Sequence, residues 1–316
     1  MRSPTAQDAV AAVENALHVR AIDARRFSTG LCHFVYEVTL EKGGSVVVRL
    51  AKADTAPLLA GGVYWHAQLM PLGLPLPAQL HTHLAGPMPH TILERLPGDD
   101  LGAVYAQLSD VAKKTIATAV SAAQSRAAQL PEAIGFGHAL SYDDPALRQR
   151  RSWRQVLDGL MLRSRHRMHA VGAVNPGVVD RVAHSLDRFD SYFDQVRPVA
   201  FLDDTTTKNV LIHEGRLSGI VDVDEICFGD PLLTVGLTQM ALLARRLDTH
   251  YIEHWLDCLS ATEEMRAVTN AYAAVFCADF LSEQGHAFNR ESTTVDAAAI
   301  AFLLETLETL LANASS

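Results

Sequence analysis

Two runs of β-forming residues, FVYEVTL at 34–40 and SVVVRLA at 45–51, flank the four residues EKGG. β-branched and aromatic side chains suit a pleated surface, and a Gly pair supplies the positive φ of a tight turn. The chain is therefore committed to an antiparallel hairpin near its start, and the later segments must extend or cover it. Residues 87–96, PMPHTILERL, read as a further strand, with a turn at LPGDD after them. Two helices complete this region. The first is opened by Ser3-Pro4, as cap and first-turn proline, and carries Val10, Val13 and Leu17 at helical spacing. The second covers 56–70 and is stopped by Pro71 and Gly73.

From about Leu101 the pattern becomes helical. Ser109 caps an Ala-rich helix running to Gln129 and ended by Pro131. Asp143, Asp144 and Pro145 open another, whose continuation holds Arg148, Arg150, Arg151, Arg154, Arg163, Arg165 and Arg167. Helical patterns also cover 177–195, 232–247, 250–281 and 294–313, with strand-like pieces near 210–212 and 218–223. The expected fold class is α+β in two lobes. A small β-rich lobe spans residues 1–96, a connecting segment lies near 92–98, and a large, mostly helical lobe spans 97–316.

Charge narrows the partners. Net charge is −9, and only Trp153 interleaves the arginines, so they read as a solvated helix face and no nucleic-acid partner is expected. Residues 201–316 hold 18 Asp and Glu against 6 Lys and Arg, a balance of −12, while residues 1–200 stand at +3. Such asymmetry fits a solvated acidic face or a region that binds cations. No apolar run approaches the roughly 18 residues of a spanning helix, and MRSPTAQDAV has no apolar core. No membrane partner is expected, and a cytoplasmic location is. The four cysteines are far apart in sequence and read as buried thiols of a reducing compartment.

The densest chemistry is FLDDTTTKNVLIHEGRLSGIVDVDE at 201–225. Asp204 and Asn209 have the spacing D-x-x-x-x-N, and Asp222 closes the apolar run Gly-Ile-Val. Oxygen ligands from Asn and Asp suit Mg²⁺ rather than Zn²⁺, and Mg²⁺ usually shares its shell with water and nucleotide phosphates. A third carboxylate beside it can accept a proton from a hydroxyl. That division makes Asp204 the base and Asn209 and Asp222 the metal ligands. The plainer alternative is that these residues only form turns around short strands. Ser28, Thr29 and Gly30 form a small-residue turn whose backbone N–H groups could cradle phosphate, although a plain hairpin has the same pattern. Arg49, set among Val and Leu, lies on the wet face of its strand or reaches a buried anion. Together with the other parts, the second is expected.

The order of these parts resembles the aminoglycoside phosphotransferase and choline kinase-like family, relatives of protein kinases. The likeness runs from about Phe27 to Leu237. It is carried by Asp204 and Asn209, Ile220-Val221-Asp222, Gly229-Asp230-Pro231, Gly73-Leu74-Pro75-Leu76-Pro77 and Ile92-Leu93-Glu94-Arg95-Leu96-Pro97-Gly98. It implies Mg²⁺-dependent transfer of the γ-phosphoryl of ATP or GTP to a hydroxyl of a small acceptor. In that scheme Gly30 sits in the phosphate loop and Arg49 contacts the α- and β-phosphates. Backbone at Leu93, Glu94 and Arg95 meets the purine. Residues 202–209 form the catalytic loop, and Asp230 bonds backbone. The acidic C-terminal part suits a cationic acceptor. Departures are the Leu202-Asp203 that stands where the family has His-Gly, and the absence of a Glu near Gly62 to pair with Arg49. They raise a second reading, a weak or silent kinase-like protein that binds nucleotide or a partner. Asp203 is expected to face away from the metal. Asp224 is expected to be a solvated neighbour rather than a second metal ligand.

Overall fold

The computed structural model describes residues 2–27, 32–286 and 294–315. Helix α1 (Ala6–Leu17) packs on an antiparallel sheet of β1 (Ala21–Arg26), β2 (Phe34–Leu40) and β3 (Ser45–Leu50). Helix α2 (Ala56–Leu69) leads from β3 to β4 (Gln79–His83) and β5 (His90–Glu94), which complete the sheet in the order β1-β2-β3-β5-β4. The expected hairpin forms. Gly43 and Gly44 have φ of 91° and 82°, and Leu40 N–H donates to Gly44 O at 3.0 Å. Phe34, Tyr36 and Val38 of β2 and Val46, Val48 and Leu50 of β3 are buried with Ala9 and Val13 of α1. Each such large side chain contributes roughly 1.5–3 kcal/mol by burial. A strand has period two, so Arg49 lies on the face opposite α1.

The rest is mostly helical. Strand β6 (Asp99–Asp100) leads to α3 (Leu101–Val104), α4 (Asp110–Ala127), β7 (Gly137–Ala139), α5 (Pro145–Gln149), α6 (Trp153–Val171), α7 (Gly177–Leu186) and α8 (Asp190–Phe193). Then come β8 (Val199–Phe201), β9 (Val210–His213), β10 (Arg216–Ile220), β11 (Ile226–Gly229), α9 (Leu232–Leu243), α10 (His250–Cys258), α11 (Glu263–Ser282) and α12 (Ala297–Ser315). The short strands form two sheets, β10-β9-β6 and β7-β11-β8. The two-lobed α+β class expected from the sequence is the one observed.

Several boundaries differ from expectation. The cap of α1 is Thr5, in a capping box with Asp8, while Pro4 O accepts a hydrogen bond from Tyr36. The helix expected over 250–281 is two helices. Ser260 takes φ 51° between them, and Thr262 caps α11. The segment after Pro145 breaks at Arg150, and Ser152 caps α6. The arginines of that segment are more engaged than a solvated face requires. Arg154 bonds Asp158, Asp187 and Asp190, Arg165 bonds Asp180, and Arg163 and Arg167 both reach Asp279.

Helix α12 is long and apolar enough to cross a membrane by length and composition, which the sequence expectation missed because Glu305 and Glu308 interrupt it. Leu303, Leu307, Leu310 and Ala314 are nevertheless buried, and the helix packs on α11 and α7. The expectation of four buried thiols holds for Cys227 and Cys277. Cys32 and Cys258 are exposed.

Candidate functional site

The site lies where the sheet region meets the short strands of the helical region. Segment 73–77 stitches them together. Ile220 N–H of β10 donates to Pro75 O at 2.8 Å, and His66 of α2 bonds Pro77 O at 2.8 Å. The resulting cleft is lined by Arg49, Gly62, Thr91, Leu93, Val221 and Asp222, among others.

Loop 202–209 leaves β8 and enters β9. Gln124 of α4 grips it by accepting from Leu202 N–H at 2.9 Å and donating to Leu202 O at 2.8 Å and Thr205 Oγ1 at 3.0 Å. Thr205, Thr206 and Thr207 are all buried. Thr205 pairs with Thr234 at 3.1 Å, and Thr207 O takes Gly102 N–H at 2.8 Å. The threonines therefore build the loop. Thr206 also donates to Asp204 Oδ1 at 2.7 Å.

The loop brings Asp204, Asn209 and Asp222 together through backbone. Asn209 Nδ2 donates to Asp204 O at 3.0 Å, and Val221 N–H donates to Asn209 O at 2.9 Å. Asp222 comes directly after, in the left-handed region at φ 65°, a conformation that costs about 1–3 kcal/mol for a non-glycine residue. Burial, and then the charge of Asp203, push the Asp204 carboxyl up to about 6. Asp203 itself turns to β7, where its Oδ2 lies 3.0 Å from His138 Nε2. Burial works against a charged His138, but its hydrogen bond to Asp203 and the Asp203 charge outweigh that and raise its pKa.

Arg49 does reach a buried anion, and a carboxylate outside α2 replaces the missing helix Glu. Its Nη1 and Nη2 donate to the two oxygens of Asp224 at 2.7 and 2.6 Å, and Nη2 also donates to Asp222 Oδ1 at 2.6 Å. Asp224 is no solvated neighbour: its side chain is 13% exposed, against 52% for Asp222. His33 Nε2 closes on Asp224 Oδ2 at 2.9 Å. Burial opposes the Asp224 charge, yet the Arg49 charge and the bonds from His33 and Arg49 hold its carboxyl well below the usual range.

Among the other expected residues, Gly30 lies outside the described residues. Leu93 faces the cleft, but it is registered with Val47 on one side and Gln79 on the other. Glu94 N–H is given to Ala78 O at 2.8 Å, and its carboxylate accepts from Ala78 N–H at 3.1 Å. Arg95 comes after the last strand pairing, and its guanidinium bonds Glu37 at 3.2 Å. Asp230 is buried and structural, accepting from Leu232 N–H at 3.0 Å and from Tyr272 at 2.8 Å.

No group of three or more His, Cys, Asp or Glu side chains that could hold a metal occurs among the described residues. The donor set still fits Mg²⁺. The nitrogen of the Asn209 amide is committed to Asp204 O, which leaves its oxygen for a cation, and Asp222 supplies a half-exposed carboxylate. Such a sparse set suits an ion that takes the rest of its shell from phosphates and water. Sequence reasoning missed His33, His138 and the role of Asp224. The signal for the last was present in Gly61-Gly62, since mid-helix glycines are costly and mark close approach.

No functionally curated protein matches the chain. Solved structures do. The aminoglycoside phosphotransferase APH(4)-Ia aligns with a TM-score of 0.65 at 18% identity, covering 96% of this chain and 97% of that one. A streptomycin–ATP ternary complex of APH(2")-IIa aligns at 0.64 and 12% identity, covering 99% and 97%. A putative fructosamine-3-kinase from Thermobifida fusca aligns at 0.62 and 15% identity, covering 99% and 100%. At these identities the likeness establishes the kinase-like fold. A family model described as the phosphotransferase enzyme family matches residues 23–268, most of the chain. The chain therefore belongs to the phosphotransferase enzyme family.

Proposed function

We propose that the protein transfers the γ-phosphoryl group of ATP or GTP to a hydroxyl of a small cationic acceptor. The observation that carries this is the convergence of Asp204, Asn209 and Asp222 through the Asn209 bonds to Asp204 O and Val221 N–H. Asp204 is the base. Held near 6, it is ionised at neutral pH yet basic enough to take a hydroxyl proton. Asn209 and Asp222 hold Mg²⁺, which when bound neutralises phosphate charge. Arg49 extends from β3 into the same cleft to meet the phosphates. Purine recognition falls to backbone at Arg95, because the Glu94 N–H is spent in the sheet and Leu93 offers its side chain as a wall. Residues 1–96 serve as the nucleotide lobe and 97–316 as the acceptor lobe. A cationic acceptor is favoured by the carboxylates of Asp204, Asp222 and Glu225, Asp203 being already paired with His138. The complexes of two similar structures with hygromycin B and with streptomycin point to the same class.

The test is Mg²⁺-dependent nucleotide turnover, with a thermal-shift screen of cationic and neutral hydroxyl compounds alongside. Asp204→Asn is expected to abolish turnover. Equal turnover in both proteins removes Asp204 as base, absence of turnover in the parent favours the silent reading, and stabilisation by neutral compounds alone removes the cationic acceptor.

A further inference from the structure

Arg49 needs a partner that fixes its guanidinium while leaving it able to face phosphates. Helix α2 follows β3 in the chain, lines the same cleft as Arg49, and has no carboxylate to offer. At the nearest point it carries Gly61 and Gly62. A Cβ on Gly61 would come within 2.5 Å of Asp224 O, and one on Gly62 would collide with Asp224 Oδ1. The glycines thus make room for the 222–225 segment to press its carboxylate against the helix. Asp224 uses that room to grip Arg49 with both oxygens and is itself fixed by the buried His33. Asp222, two residues away, holds Arg49 by one oxygen from a half-exposed position.

We propose that Asp224 is the positioning residue for Arg49, occupying the space against α2 that Gly62 vacates, so that Asp222 would be free to exchange Arg49 for a metal ion without Arg49 losing its place. This rests on the phosphotransferase reading above and deepens it. The consequence is mechanical. The anchor of the cation and the proposed metal ligand share one three-residue segment, so their geometry is set together and not by the position of α2. Two carboxylates face one guanidinium in the ligand-free protein. Only the exposed one is exchangeable, because removing the enclosed one strands a charge.

The test uses calorimetric binding of ADP in excess chelator, which reads Arg49 without metal or transfer, and then repeats the titration with Mg²⁺. Asp224→Ala and the shape-conserving Asp224→Asn are each expected to weaken metal-free ADP binding by about tenfold or more. In these variants Arg49 falls back on Asp222, so the Mg²⁺ concentration needed for tight binding rises as well. Gly62→Glu alone is expected to weaken ADP, since two carboxylates then contend for one space. In the double variant Gly62→Glu with Asp224→Ala, the new side chain grows from α2 into the vacated site. It is expected to restore metal-free affinity to within about threefold of the parent. Loss of packing alone is not repaired by a larger side chain on another element. Parent-like affinity in Asp224→Asn, or a double variant no better than Asp224→Ala, overturns the assignment while leaving the phosphotransferase reading intact. A parent protein that binds no ADP overturns both.

Discussion

Replacing Asp204 by Asn should destroy transfer and stabilise the fold in the same step. The carboxyl sits at about 6 in the folded protein against an ordinary value of 3.8, chiefly through burial and then through Asp203. A raised carboxyl pKa means that the folded state binds the proton more tightly than the unfolded chain does. The stability of the wild type is therefore fully present below 3.8 and is lost as pH rises through about 6. At about 1.4 kcal/mol per pKa unit, the penalty for an ionised Asp204 has an upper figure of about 3 kcal/mol, which its partial exposure reduces to about 1–2 kcal/mol. Asn keeps the shape and still accepts from Thr206, so the penalty disappears with little else changed.

The assay is urea unfolding of both proteins in chelator without nucleotide, on the alkaline side of about 6 and on the acid side of 3.8. The variant is expected to be more stable in the first condition and equal in the second. Transfer should fall by about two to four orders of magnitude, the range for a lost general base. If the variant gains nothing above about 6, or gains as much in acid, Asp204 is not a strained ionised group and its assignment as a tuned base fails.

The same geometry makes three other substitutions informative. Asp203→Asn removes the neighbouring charge, so the acid limb of the kcat/KM profile should move below about 6 while the plateau stays near the parent; an unmoved limb denies the Asp203 field. Gly98→Ala, at φ 98° and with its new methyl driven into Ile212 O, should lose about 1–3 kcal/mol in denaturant unfolding, and a neutral result contradicts the strained turn after β5. Asp279→Ala removes the acceptor shared by Arg163, Ser164 and Arg167 and should cost about 1–3 kcal/mol, seen as a lower Tm; an unchanged Tm would mean that α6 and α11 do not depend on it.

The hairpin and the long helices are legible in the sequence because each carries its own signal, a Gly pair between β-branched runs or an apolar period with a capping Ser or Thr. Strands β7, β8 and β11 were invisible, being too short to alternate and specified by each other across long loops. At the site, D-x-x-x-x-N spacing was readable because loop 202–209 is local. The Arg49–Asp224 pair spans 175 positions, so only the two mid-helix glycines could have pointed to it. The pairing of Asp203 with His138 was not readable, because His138 lies on a strand the sequence does not announce.

The charge asymmetry along the chain takes on a different meaning once the fold is known. Part of the acidic excess of the C-terminal part meets cations of the N-terminal part: Asp279 meets Arg163 and Arg167, Glu308 meets Arg181, and Asp248 meets Lys113. Those carboxylates already have cation partners within the chain, and Asp279 is enclosed as well. Within the cleft the same sorting applies. Asp224 is matched by Arg49 and His33, and Asp203 by His138. Asp222 shares Arg49 and stays half exposed, while Asp204 has a hydroxyl for a partner and no ion pair among the described residues. The case for a positively charged acceptor therefore rests on these last two carboxylates and on Glu225, whose own carboxyl is pushed up by burial despite His138 nearby. A cation placed among them would lower the Asp204 pKa, so its binding should tighten as pH rises through about 6 and Asp204 ionises. Because Asp204 is already ionised at neutral pH, an acceptor amine adds to affinity there rather than to turnover, and neutral analogues of the same shape should show a higher KM with kcat near that of the amine, the difference in KM shrinking as pH falls below about 6.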